Sequence, residues 1–223
     1  MTKIYVELDH NVPRYACTSC SSCDSLIGKS LCKVKNRGCC WYFPKFTLVD
    51  IQRMSKTPDG LKVLNKILSN PGTQIYNYYI HAKGFFDEAE YEKYMESGMQ
   101  LEGDYIEDHT IFFRGCPFVK PGKGCTLPPR YRTFVCNFFI CREIIEAAEC
   151  HELFQKYDEE RLRYSRWLDW ENESLRYILS EDNLTLQNNF AETIKKLQEL
   201  ELSIYEFPYL EPMVLDDSWY RGA

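Results

Sequence analysis

The sequence predicts an α+β fold: a mostly helical, cysteine-rich domain with a few short strands, followed by a C-terminal helical extension. Three observations predict it. Short β-rich runs (KIYVEL at 3–8, QIYNYYI at 74–80, HTIFFR at 109–114) alternate with capped helical patterns. Eleven cysteines fall into two clusters, six of them within the 24 residues from Cys17 to Cys40. Beyond residue 142, apolar residues recur at helical steps with acidic residues between them. The expected division is a cysteine-cluster domain over 1–141 with a helical extension over 142–223 packed on it.

Taken in order, residues 3–8 alternate as a short strand and Pro13 is expected to end it. From Cys17 to Cys40 a loop is expected, because Ser, Gly, Lys and Asn are frequent and no apolar period develops. Thr47 with Asp50 three residues on resembles a capping box, and Leu48, Ile51 and Met54 line one face of the helix that follows. Thr57-Pro58 starts a second helix and Asn70-Pro71-Gly72 closes it. Residues 74–80 read as a strand, Asp87–Ser97 as a helix stopped by Gly98, and 109–114 as a second strand leading to Gly115-Cys116-Pro117. CPFVKPGKGC at 116–125 reads as a turn or hairpin, and a helix is expected over 130–141. Leu153, Tyr157, Tyr164, Leu168, Leu175 and Ile178 mark one face of a long helix, and Leu186, Phe190, Ile194 and Leu197 mark another. Two antiparallel helices are the plain reading, with an irregular tail after Pro208 packed back on the body.

The formal net charge of −6 argues against a general nucleic-acid binder. The acid is concentrated late, with 19 Asp/Glu against 9 Lys/Arg over 142–223, while residues 1–60 hold 9 Lys/Arg against 5 Asp/Glu. The first fifteen residues lack an apolar core of signal-peptide length, and no run of apolar residues is long enough to span a membrane. A cytoplasmic setting, with thiols kept reduced, is therefore expected. Eleven cysteines, an odd number, fit a pure disulfide framework poorly.

Cys17, Cys20 and Cys23 stand at C-x2-C-x2-C spacing. Three thiolates so spaced hold three corners of an iron–sulfur cubane, with the fourth ligand arriving from elsewhere. Zinc sites more often pair one C-x2-C with a second one or with a His pair. No second C-x2-C stands outside the triple, and His10, His81, His109 and His151 stand singly. An iron–sulfur cluster, 4Fe–4S in type, is thus favoured over zinc, which stays as the alternative. The candidate ligands are Cys17, Cys20, Cys23, Cys39, Cys40, Cys116, Cys125, Cys136 and Cys141. Neighbouring side chains generally diverge, so Cys39 and Cys40 are expected to serve different sites unless one of them fills core. Cys32 and Cys150 are expected to be spare, Cys150 as a packing residue on a helix. Lys33, Lys35 and Arg37 would favour thiolate and offset a cluster's negative charge; a solvated basic loop is the equal alternative.

GCCWYFPKFTLVDIQRM, GCPFVKPGKGC and RTFVC together resemble the YkgJ-like cysteine-cluster family, described as zinc- or iron-chelating. Its members carry C-x-x-C-x-x-C-C, an L-T-x-x-D helix, then C-P-F-L, G-C and R-P-x-x-C-R. Cys39-Cys40, residues 46–50, Cys116 to Val119, Gly124-Cys125 and Arg132 to Cys136 match these in order, over about residues 17–141. Here the cysteines before the double cysteine are displaced to Cys17, Cys20, Cys23 and Cys32, Thr133 replaces Pro, and Asn137 replaces Arg. The family is distantly similar to flagellin lysine-N-methylases, which implies a methyl-transfer activity but carries no catalytic residue onto this chain.

Three functions compete on these residues. The first is a metal-cluster protein serving redox, electron transfer or structure. The second is a protein-modifying enzyme with the cluster in its active site and a protein or peptide partner received by the acidic arm. The third is a thiol-redox or metal-handling protein. Acidic pairs such as Glu159-Glu160 read as a solvated helix face rather than as catalytic groups.

Overall fold

The computed structural model describes residues 1–20, 25–98 and 106–216. The chain opens with a hairpin: β1 (Thr2–Asp9) runs antiparallel to β2 (Val12–Cys17), in register from Ile4 opposite Cys17 to Asp9 opposite Val12. The turn residues His10 and Asn11 have φ of 49° and 63°. Left-handed values at both positions match the twist of the two strands. Pro13 therefore lies inside a strand instead of ending one. It is tolerated because β2 is the edge of its sheet, where a missing N–H removes no ladder bond.

β3 (Lys45–Thr47) feeds α1 (Leu48–Ser55) directly. The Thr47 N–H and hydroxyl both donate to Asp50 Oδ2, at 3.0 and 3.1 Å, so the expected capping pair is present. α2 (Pro58–Leu68) follows, with Thr57 Oγ1 accepting from the Gly60 N–H at 3.0 Å. A Cβ on Gly60 would lie 2.2 Å from the Met54 carbonyl oxygen, so these helices meet where a side chain has no room.

The run at 74–80, expected as one strand, is a hairpin of β4 (Thr73–Ile75) and β5 (Tyr79–Ala82), and β5 also pairs with β3. The Tyr76 N–H closes the turn on the Tyr79 carbonyl at 2.9 Å. β6 (Phe85–Phe86) and α3 (Glu88–Ser97) come next, and Gly98 ends the helix at φ 63°. Residues His109–Phe113, expected as a strand, form a 3-10 helix, leaving only β7 (Arg114–Gly115) to pair with β6. Ile111, Phe112 and Phe113 are all buried. Three consecutive buried side chains defeat the alternation of a strand but suit a tight helical turn wrapped by core.

The hairpin expected at 116–125 is present as β8 (Val119–Lys120) and β9 (Gly124–Cys125). The helix expected over 130–141 shrinks to a 3-10 turn at Pro129–Tyr131 and the four-residue α4 (Phe134–Asn137). After it come α5 (Arg142–Ala148), α6 (Phe154–Glu181), α7 (Phe190–Glu199) and β10 (Met213–Leu215). Three helices thus occupy the stretch read as two. α6 and α7 both pack on α1, and β10 joins the free edge of β1.

The larger core takes residues from both sides of position 142, among them Ile4, Phe46, Met54, Phe118, Tyr157, Leu179, Leu197 and Met213. A smaller core gathers Cys32, Tyr94, Ile111, Phe112 and Phe113, with Val34 and Trp41 packed on it. Cys17, Cys116, Cys125 and Cys141 pack on the larger core. The loop around Cys39 and Cys40 therefore bridges two hydrophobic bodies. Among the described residues, no helix is long and apolar enough to cross a membrane.

Candidate metal centre

Cys40 is the hub. Its N–H donates to the Arg37 carbonyl at 3.2 Å, and its own carbonyl accepts from the Cys116 N–H at 2.9 Å. One main-chain bond thus ties the early cysteine cluster to the late one. The Val119 N–H donates to the Cys116 carbonyl at 3.2 Å, and Val119 stands opposite Cys125 in the β8–β9 pair. Cys116 and Cys125 are therefore held on one small hairpin. Cys136 comes from α4, and the Thr133 hydroxyl donates to its sulfur at 3.4 Å.

The thiols of Cys116 and Cys136 each respond to other members of this set. Burial pushes the Cys116 thiol well above the usual range, and the sulfurs of Cys136, Cys125 and Cys40 push it further. Burial likewise takes the Cys136 thiol up to about 11, with Cys125 and Cys40 adding to it. Cys136 is exposed as a residue, yet enough protein surrounds its sulfur to disfavour the thiolate. The Arg132 guanidinium acts in the opposite sense on Cys40 and Cys136.

A second group forms around Cys39, on which the sulfurs of Cys40, Cys20 and Cys141 all act. Cys17 ends β2, Cys20 follows three residues on, and Cys141 is the residue preceding α5. The strap after Cys23 is pinned to the first turn of α5. Ser25 Oγ donates to both carboxylate oxygens of Glu143 at 2.8 Å, and the Leu26 N–H donates to Oε1 at 3.2 Å. Cys23 itself lies outside the described residues.

Cys39 and Cys40 sit in a tight turn, and each thiol acts electrostatically on the other. Gly38 sits at φ 55°, and the Trp41 N–H donates to the Cys39 carbonyl at 3.0 Å, so the extended alternation that separates neighbours never forms. The neighbouring Cys39 thiol lowers Cys40 to about 7, against burial and with help from Arg132 and Arg37. The Cys40 thiol in turn raises Cys39 far above the thiol range, and burial adds to the effect. Beyond each other, the two sulfurs keep different company.

Neither group is closed. Among the described residues, no three Cys, His, Asp or Glu side chains are arranged to hold a metal ion. Cys32 lies in the smaller core with the Ser30 hydroxyl 3.3 Å from its sulfur, apart from both groups. Cys150, expected to pack on a helix, is exposed in the turn after α5.

Sequence reasoning missed the Ser25–Glu143 clamp, for which no local signal exists across so long a separation. It also missed what the unusual residues at 133 and 137 do. Thr133 donates to Cys136, and Asn137 Nδ2 bonds the Pro129 carbonyl at 2.9 Å. Two surface hollows, one lined by Tyr78, Trp170 and Tyr177 and the other by Lys156, Tyr157 and Tyr209, include no cysteine. Comparison of the chain with protein-family models, curated proteins and solved structures finds no match.

Proposed function

We propose that the protein is a cysteine-ligated metalloprotein that holds metal at two thiolate groups, with iron–sulfur clusters as the occupants. One group is Cys40, Cys116, Cys125 and Cys136. The other is Cys39 and Cys141 with Cys17, Cys20 and Cys23. The observation that carries the proposal is the main-chain bond from the Cys116 N–H to the Cys40 carbonyl, 2.9 Å, which joins the Cys39-Cys40 turn to the β8–β9 hairpin bearing Cys125.

The donor chemistry fits. Soft sulfur donors suit iron–sulfur clusters or zinc. The C-x2-C-x2-C spacing of the second group favours iron–sulfur, and the aromatic surroundings add to that preference. Phe134 and Phe138 flank Cys136 and stack at 4.8 Å between ring centroids, and Phe118 is buried next to Cys116. Aromatic neighbours of this kind lower the polarity around thiolates, and the Arg132 guanidinium offsets charge at Cys40 and Cys136. When bound, an iron–sulfur cluster supplies one-electron redox chemistry. Closure of the thiols onto metal accompanies loading, since site assembly and local folding are coupled.

Anaerobic purification followed by iron, sulfide and zinc analysis and a visible spectrum tests this reading. The expected product is brown and holds iron and inorganic sulfide in equal amounts. Zinc alone would replace clusters with tetrathiolate zinc in a structural role. A fully folded protein that takes up neither metal overturns the proposal.

A further inference from the structure

Arg37 differs from the other cations of the cysteine loop. Lys33 is exposed and lies over the Phe85 ring at 4.1 Å, and Lys35 is exposed and reaches the Ser30 carbonyl at 3.2 Å. Arg37 is only 2% exposed. Its Nη2 donates to the carbonyls of Lys29 and Ile111 at 2.7 and 2.8 Å, and its Nη1 donates to the Gly38 carbonyl. All these acceptors are neutral. Among the described residues no carboxylate pairs with it, and its buried Nε–H has no hydrogen-bond partner. The ionisable groups that act on it are the sulfurs of Cys32, Cys39 and Cys40.

A guanidinium stays charged in proteins, and a buried charge without a counter-ion is strongly unfavourable. The fold nonetheless builds a socket of carbonyls that holds this cation beside the vicinal cysteines. The missing partner is an anion, and the nearby sulfurs supply one once they bind metal. Four thiolates around a zinc ion or a doubly charged cubane retain a net negative charge, which water cannot screen at this depth.

We propose that Arg37 is the resident counter-cation of the metal–thiolate groups joined at Cys39 and Cys40, its Nε–H donating to a ligating sulfur. The inference rests on the metal reading above and assigns Arg37 a positioning role within it. It also explains why a cation is buried here when Lys33 and Lys35 remain at the surface.

The test is anaerobic titration of the reduced, metal-free full chain with Co2+, read by thiolate-to-cobalt charge-transfer absorption. R37Q keeps hydrogen-bond donors but removes the charge, whereas R37K keeps the charge. R37Q is expected to weaken cobalt affinity by about tenfold or more, in the range found for groups that support metal ligands, with R37K close to the parent. Because R37Q can fail to fold, a second measurement uses the unaltered protein: the Arg37 Nε–H resonance in 15N-arginine-labelled chain during Zn2+ titration. It is expected to move downfield and to exchange more slowly with water as zinc loads. R37Q binding cobalt as tightly as the parent overturns the assignment, as does an Nε–H resonance unmoved at zinc saturation. Neither result touches the metal reading. Failure of the parent chain to bind either ion removes that reading and the role of Arg37 with it.

Discussion

Cys39 and Cys40 are neighbours in one tight turn, and each is linked electrostatically to a different set of thiols. Removing one should therefore empty one group and spare the other. Cys40→Ser is expected to abolish the site with Cys116, Cys125 and Cys136, and Cys39→Ser the site with Cys20 and Cys141. Each single variant should keep about half the metal of the parent by elemental analysis, and Cys150→Ser should keep all of it. Loading should also depend on pH with a definite sign. Burial holds Cys116 above the thiol range and Cys136 at about 11, so both are neutral at pH 7 and must lose protons to ligate. Apparent affinity should rise by about tenfold per pH unit for each proton displaced, and proton release on loading is measurable in weakly buffered solution.

At the level of elements, residues 25 and 26 are tied to α5 by one carboxylate, while Leu26 and Ile27 also pack on the smaller core. Ser25 and the Leu26 N–H both donate to Glu143 on α5, beside Cys141. Glu143→Ala should lose about 1–3 kcal/mol of local stability, the range for hydrogen bonds to a charged group. Hydrogen exchange should then accelerate over residues 25–28 before anywhere in α1, and unchanged exchange there would show that other contacts hold the strap. The α1–α2 junction is limited in the opposite way, by space. Gly60→Ala puts a methyl 2.2 Å from the Met54 carbonyl, so a loss of about 1–3 kcal/mol is expected in chemical denaturation.

Across the whole molecule, both ends of the chain close one sheet: β10 pairs with β1, and Met213 and Leu215 are buried in the larger core. α6 and α7 pack on α1 rather than standing apart, and α5 packs on β10. Met213→Ala should therefore destabilise the entire chain by about 2–5 kcal/mol, the usual range for truncating a buried side chain. The expected unfolding is a single cooperative transition shifted to lower denaturant. A transition confined to the last seventy residues would show instead that the extension folds alone.

Local chemistry was legible in the sequence wherever a few neighbouring residues decide the outcome. The Thr47–Asp50 pair, the Thr57-Pro58 start, the Gly98 stop and the hairpin at 116–125 all appear as their residue types dictate, because capping and turn geometry act over three or four positions. The mixed α+β class was legible for the same reason, and so was the presence of two cysteine clusters. Residues 109–114 were misread because burial on every side, imposed by the smaller core, overrides β propensity. Residues 130–141 were misread because Arg132 and Thr133 adopt extended backbone, ψ 156° and 160°, between the 3-10 turn and α4 and so interrupt the helix their composition favours. The company each cysteine keeps was decided only by tertiary structure. It depends on one main-chain bond from Cys116 to Cys40, a clamp between Ser25 and Glu143, and a buried Arg37, contacts between segments far apart in sequence that no local period encodes.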